Sequence, residues 1–190
     1  MPDSKIKYGI KNVKYAIATI GSDGTATYGA PADLPGAVSI SLTANGDMTP
    51  FFADNIVYYA SVANNGYEGD LELAMVPEAF LKNVLGNKVG GNSLVYEDAN
   101  AEPVHFALLF QFEGDAKARR HVLYNCVASR PDIASSTKTE SIEPQTETLS
   151  ITATTIYVAA VDADVVKAYL NEGDTGYTTF LSTVAQPTHT

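Results

Sequence analysis

A mainly β fold is what this sequence predicts: two packed sheets forming a sandwich or partly open barrel, flanked by one α-helix. Three observations predict it. Between Val104 and Arg130 two runs of strand-forming residues flank Gly114-Asp115, which reads as a β-hairpin. In its first arm Val104, Phe106, Leu108, Phe110 and Phe112 recur at period two and share one face, a wall that needs a second layer. Two further stretches alternate cleanly: Val38, Ile40 and Leu42 against Ser39, Ser41 and Thr43, then Leu149, Ile151 and Ala153 against Thr148, Ser150 and Thr152. The abundance of Thr, Ser, Ala, Val and Gly over Leu, Glu and Lys leans the same way.

The elements follow in order. Residues 1–14 carry Lys5, Lys7, Lys11 and Lys14, with Ile6, Tyr8, Ile10 and Val13 between them, and read as a first strand or an arm, set at about 1–12. Val13 to Ile20 is a strand, Gly21 to Gly24 a turn and Thr25 to Tyr28 a short return. After the strand over 37–43, residues 44–55 hold Asn45-Gly46, Pro50 and three large apolar side chains, Met48, Phe51 and Phe52. This stretch reads as a loop that either folds back on the core or docks on another subunit. Ile56 to Val62 and Tyr67 to Val76 are strands, the second with Leu71, Leu73 and Met75 opposite Asp70 and Glu72. Pro77 opens a helix over 77–85 with an apolar stripe of Phe80, Leu81, Val84 and Leu85, stopped by Gly86. Leu94 to Glu97 is a short strand leading into the central hairpin. Beyond Pro131 the chain is a polar connector as far as Gln145. Strands over 147–153 and 156–161 follow. A short second helix over 163–171 is then expected, capped by Asp162, with Val165, Val166, Tyr169 and Leu170 inward. The last stretch, about 175–190, is a C-terminal arm. The 190 residues are expected to form a single domain.

The formal net charge is −10, which argues against sequence-independent binding to nucleic-acid phosphate. Its distribution is uneven. No Lys or Arg occurs between Tyr15 and Leu81, against eight acids, and Lys167 alone opposes the acids from Thr139 onward. The bland reading is a solvated acidic surface; the sharper one is a surface that repels an anion. Cys126 is the single cysteine, so no disulfide within the chain and no multi-cysteine metal site is expected. No run reaches the roughly 18 apolar residues of a membrane span, and the amino terminus lacks signal-peptide features, so synthesis in a cytoplasm without export is expected.

Nothing in the residues calls for catalysis. His105 and His121 lie on the two arms of the hairpin, where they could face each other, but without metal-ligand spacing or a nucleophile. Asp70 and Glu72 share one strand face, as a glycosidase pair might, although two acids on a solvated strand are far more often surface. No phosphate loop and no Gly-x-Ser-x-Gly elbow is present. No catalytic residue, cofactor or metal is therefore expected.

The order of features resembles one family. The run Gly66-Tyr-Glu-Gly-Asp-Leu-Glu-Leu-Ala-Met-Val-Pro-Glu-Ala-Phe-Leu-Lys-Asn-Val-Leu-Gly86 looks like the strand-then-helix signature of major tail proteins of long-tailed, non-contractile phages (siphophages) of Gram-positive hosts. Ala107-Leu-Leu-Phe-Gln-Phe-Glu-Gly-Asp115, Arg120-His-Val-Leu-Tyr-Asn-Cys-Val-Ala-Ser-Arg-Pro131, Thr137 to Ser141, Glu143-Pro144, Glu147 to Ala153 and the opening Tyr8 to Val13 are similar to the same family, in that order.

The resemblance implies a virion structural protein and not an enzyme. Six copies would close into a ring, and rings would stack into a tail tube around the tape measure protein. That tube meets the tail terminator and distal tail proteins and later conducts viral DNA without binding it specifically or meeting a membrane. The subunit would reside in the virion tail, and in host cytoplasm during assembly. Within that picture Met48, Phe51 and Phe52 are expected at an inter-ring contact, and Ser39, Ser41, Asp70 and Glu72 on the lumen wall. The alternative is a β-sandwich module that binds carbohydrate or a host surface. Such a module would be expected to show an aromatic platform, often with Trp, and the sequence has no Trp.

Overall fold

The computed structural model describes residues 6–46, 48–135, 137 and 145–189; the side chains of residues 48, 49, 51, 61 and 62 also lie outside that description. The chain runs β1 (Ile10–Ile20), β2 (Ala26–Tyr28), β3 (Ala32–Asp33), β4 (Ala37–Ala44), β5 (Met48–Ala53), β6 (Ile56–Val62), β7 (Tyr67–Leu73), α1 (Glu78–Asn83), β8 (Lys88–Val89), β9 (Val95–Tyr96), β10 (Phe106–Phe112), β11 (Arg120–Ala128), β12 (Glu147–Thr154), β13 (Ile156–Val158), β14 (Ala163–Val165) and β15 (Lys167–Leu170). It is mainly β, with one helix among the described residues. A large antiparallel sheet has the order β2-β1-β10-β11-β12-β7-β4, with β3 beside β1 and β15 beside β11.

That sheet curls. Val13 and Tyr15 from β1 meet Ile40 and Leu42 from β4 in one core, together with Leu71, Phe106, Leu108, Leu123, Leu149 and Ile151. No ladder joins β4 to β1 among the described residues, so the barrel stays partly open. Phe80 of α1 plugs it, meeting the rings of Tyr15 and Phe106 edge-on at 4.9 and 5.5 Å. A second core lies on the outer side of the same strands. There Ala16, Ala107, Leu109, Val122 and Tyr124 are covered by Ala26, Ile156, Val158, Phe180 and Val184. Strand β10 is therefore buried on both faces, and Ala107 and Leu109 supply the apolar side chains of its second face.

The helix expected over 77–85 is present as α1, with Pro77 at its N-cap and a Lys82–Glu78 pair at 2.5 Å along its side. The helix expected over 163–171 is absent; that stretch forms β14 and β15. Asp162 has φ +50°, a left-handed value unsuited to a helix N-cap. It closes the turn between β13 and β14, and its carboxylate accepts a hydrogen bond from Tyr157 Oη at 2.7 Å. Strand β12 leaves β11 at Asn125, and β15 takes the vacated edge, pairing Leu123 with Lys167 through Arg120 with Leu170. Completing a sheet edge outweighs the weak helical stripe of a segment that contains the adjacent valines Val165 and Val166.

Residues 44–55 also differ from the loop expected there. Strands β5 and β6 form a two-stranded ribbon that continues the β4–β7 pair outward. Its turn is Asp54-Asn55, at φ +53° and +62°, the backbone of a type I′ hairpin turn. Asn45-Gly46 and Asn64-Asn65-Gly66 make no hairpin turn. They form the junction of ribbon and barrel, where Asn45 N donates to Gly66 O and Asn65 N donates to Asn45 O. Gly66 sits at φ +95°, and a Cβ there would lie 1.9 Å from the carbonyl oxygen of Ala153.

The described parts of the terminal segments are held by the body; residues 1–5 of the expected arm, and residue 190, lie outside the described residues. Glu113 N and Gly114 N donate to Gly9 O and Tyr8 O, so the arm expected over 1–12 is tied down from Tyr8 onward. The arm expected over 175–190 lies on the second core through Phe180 and Val184. Tyr124 Oη donates to Ala185 O at 2.8 Å there, and Gln186 Nε2 to Ala26 O at 2.8 Å.

Candidate functional site

Three surfaces stand out, and each is built by strand geometry. The first is a polar wall. Opposed residues in an antiparallel pair share a face, so the registers of β4, β7 and β12 align three rows: Ser39, Glu72 and Thr148; Ser41, Asp70 and Ser150; Thr43, Glu68 and Thr152. Alternation set Ser39 with Ser41 and Asp70 with Glu72 on their separate strands, and the β4–β7 register brings the two pairs onto one face. Residues of β12 complete the wall, an adjacency invisible locally because β7 and β12 are far apart in the chain. Val38, assigned to the apolar face by alternation, is a bulge residue between Ala37 and Ser39 and is exposed.

Hydroxyls dominate the wall's chemistry. Ser150 Oγ donates to Asp70 at 2.8 Å, Ser39 Oγ to Glu72 at 2.8 Å, and Thr146 Oγ1 to Glu72 at 2.6 Å. Hydrogen bonds from Thr146 and then Ser39 hold the Glu72 carboxyl below the usual carboxylate range. None of Glu68, Asp70 and Glu72 is ion-paired among the described residues. The wall is anionic, and hydroxyls fix Asp70 and Glu72 with no cation paired to either among the described residues.

The β5–β6 ribbon is the second surface. Phe52 is 62% exposed and Tyr58 72%, and Ile56, Val57 and Tyr59 are also exposed. Val57 lies across from Phe52 and Tyr59 across from Phe51, adjacent positions of β5, so both faces of the ribbon carry apolar residues that no other described residue covers. The side chains of Met48 and Phe51 lie outside the described residues; Phe52 stands exposed near the tip. The sequence showed an apolar stretch here, but the contribution of Ile56 through Tyr59 was hidden by an apparently ordinary strand.

The third surface is the barrel's open mouth. It is a cavity of about 200 Å³ with Ile40, Leu42, Phe110, Phe112 and Leu123 among its lining, and Lys7, Lys167 and His121 beside them. Lys7 Nζ sits 4.8 Å from the Phe112 ring centroid and Lys167 Nζ 4.4 Å from that of Tyr67. His121 stacks on Phe110 at 5.2 Å, and burial pushes its pKa down to about 4.

No group of three or more His, Cys, Asp and Glu suited to a metal exists among the described residues. His105 and His121 do not face each other: Phe110 lies opposite His121, while His105 Nδ1 is 2.7 Å from Asn125 Oδ1. Cys126 is fully buried and free. No helix among the described residues is long and apolar enough to cross a membrane. Compared with known protein families and with curated proteins, the chain matches none.

Proposed function

We propose that this chain is a tail tube subunit of a long-tailed, non-contractile phage of a Gram-positive host. Copies close into six-membered rings, and the rings stack into a tube that surrounds the tape measure protein and conducts DNA at ejection. The subunit is structural, needs no cofactor, and works in the virion after assembly in host cytoplasm. The tube's ends meet the tail terminator and distal tail proteins.

One observation carries the reading: a β ribbon, apolar on both faces, that the described residues of its own chain leave uncovered. A monomer gains nothing from exposing it, whereas an assembly buries it between copies. Strand β4 adds support, since among the described residues it pairs with β7 on one side only and leaves an edge for a neighbouring sheet. Different surfaces for ring closure and for stacking are what a tube of identical subunits requires. In this reading the ribbon, with Met48, Phe51 and Phe52, serves contact between rings. The wall bearing Ser39, Ser41, Asp70 and Glu72 faces the lumen, where unneutralised carboxylates keep passing DNA from adhering. A carbohydrate-binding module would need aromatic rings on one face; Phe52 and Tyr59, which lies across from Phe51, fall on opposite faces of the ribbon.

Negative-stain microscopy of the purified protein at increasing concentration tests the reading. Rings with six-fold symmetry or tubes are expected. A dispersed monomer at every concentration would overturn it.

A further inference from the structure

We propose that the tip of the β5–β6 ribbon of one copy plugs the open barrel mouth of a second copy, with Phe52 entering the cavity and Asp54 lying between Lys7 and Lys167. This rests on the tube-subunit reading only in requiring that copies associate; it adds which surface receives the ribbon.

The argument begins with what the mouth selects. A void of about 150 Å³ lined by apolar side chains accepts a benzene ring, and the mouth offers about 200 Å³ over Ile40, Leu42 and Phe110. Two ammonium groups stand at its rim, each over an aromatic face. Neither is ion-paired among the described residues, in a chain whose net charge is −10. The site therefore suits an aromatic ring carried beside a carboxylate.

The ribbon tip presents that pair. Phe52 is exposed, and Asp54, two residues on, is held outward by the left-handed turn it shares with Asn55. No Lys or Arg lies anywhere between Tyr15 and Leu81, so nothing on the ribbon offsets Asp54. The tip cannot serve its own mouth. Leu42 and Tyr67, at the ribbon's root, line that same cavity, and β5 spans six residues beyond the root. That is roughly 20 Å of extended strand between root and tip. Among the described residues the ribbon pairs with no other strand of its chain, which leaves it free to enter the mouth of another copy. Tip and mouth are different surfaces, and a contact of this kind propagates from subunit to subunit.

Charge exchange tests it, read by sedimentation velocity and microscopy of the full-length protein. Asp54→Lys is expected to weaken self-association by about tenfold or more, as is the pair Lys7→Glu with Lys167→Glu. Combining all three is expected to restore it. These positions are at the surface and outside both cores, so circular dichroism should be unchanged throughout. A second arm mixes Asp54→Cys with Lys167→Cys: a disulfide-linked dimer is expected from the mixture and not from either variant alone, Cys126 being buried. If wild type forms tubes and Asp54→Lys forms them equally well, or the triple variant fails to recover, the mouth is not the receptor and the tube reading stands. A wild type that never associates overturns both.

Discussion

Asp70 and Ser150 stand directly opposite each other on β7 and β12, and the serine hydroxyl donates to the carboxylate at 2.8 Å. Residues 80 apart in sequence thereby fix one acid in the middle of a nine-residue polar wall. The carboxylate is held by a neutral donor, so its charge remains available to the solvent it faces.

Reversing that charge should separate conduction from construction. In the Asp70→Lys, Glu72→Lys double variant the wall loses hydroxyl partners at its surface while both cores are untouched. Tube assembly, scored by microscopy, is expected to persist, and DNA ejection from reconstituted particles should slow. Unchanged ejection would remove these two residues from the lumen.

Substituting the ribbon should do the reverse. Phe52→Ser combined with Phe51→Ser is expected to leave a folded monomer that no longer polymerises, since the described side chains of β5 and β6 belong to neither core. Light scattering would show a monomer, and the melting temperature should match that of wild type. Normal tubes would count against the ribbon as a docking element.

Packing at the barrel plug should be costly to remove. Phe80 is fully buried against the rings of Tyr15 and Phe106, and truncation of such a phenylalanine to alanine costs about 3–5 kcal/mol. Urea denaturation of Phe80→Ala should show a lower midpoint with a similar slope. A loss under about 1 kcal/mol would mean that α1 is a loosely held cover.

Acid should find a weak point at His121. Its folded pKa is down to about 4 against an ordinary 6.5, so below pH 6.5 the unfolded chain binds a proton that the folded chain refuses. Stability from this group is complete above 6.5 and falls as pH drops towards 4. His121→Phe, which keeps a ring on Phe110, should flatten the stability profile across that interval relative to wild type. Parallel profiles would exclude the imidazole as the cause.

The thiol of Cys126 should be inert. Burial drives its pKa up to about 12, leaving almost no thiolate at neutral pH. A thiol reagent is expected to label it only at the rate of global unfolding; rapid labelling of native protein would show that the core opens locally.

Much of this was legible locally. Alternation placed Ser39 with Ser41 on one strand and Asp70 with Glu72 on another, and the stripe ending at Gly86 announced α1. The misread segments share a cause. Val165, Val166, Tyr169 and Leu170 fit a helical stripe, and only the vacant edge of β11, set by a distant strand, makes them β. Pro50 and Asn45-Gly46 suggest a loop, yet β5 tolerates the proline because a two-stranded ribbon is all edge. The mouth was illegible for a deeper reason. Lys7, Tyr67, Phe112 and Lys167 become neighbours only once the sheet has curled.

Strand β10 has a consequence for how the molecule comes apart. It is the partition between two interiors, and each interior needs it in place. Peeling the chain's last residues from Tyr124, or prying β4 away from β1, exposes one side of the same plank and weakens its grip on the other. Heat should therefore melt the subunit in a single step, and a particle under strain would shed whole subunits before it shed halves of them.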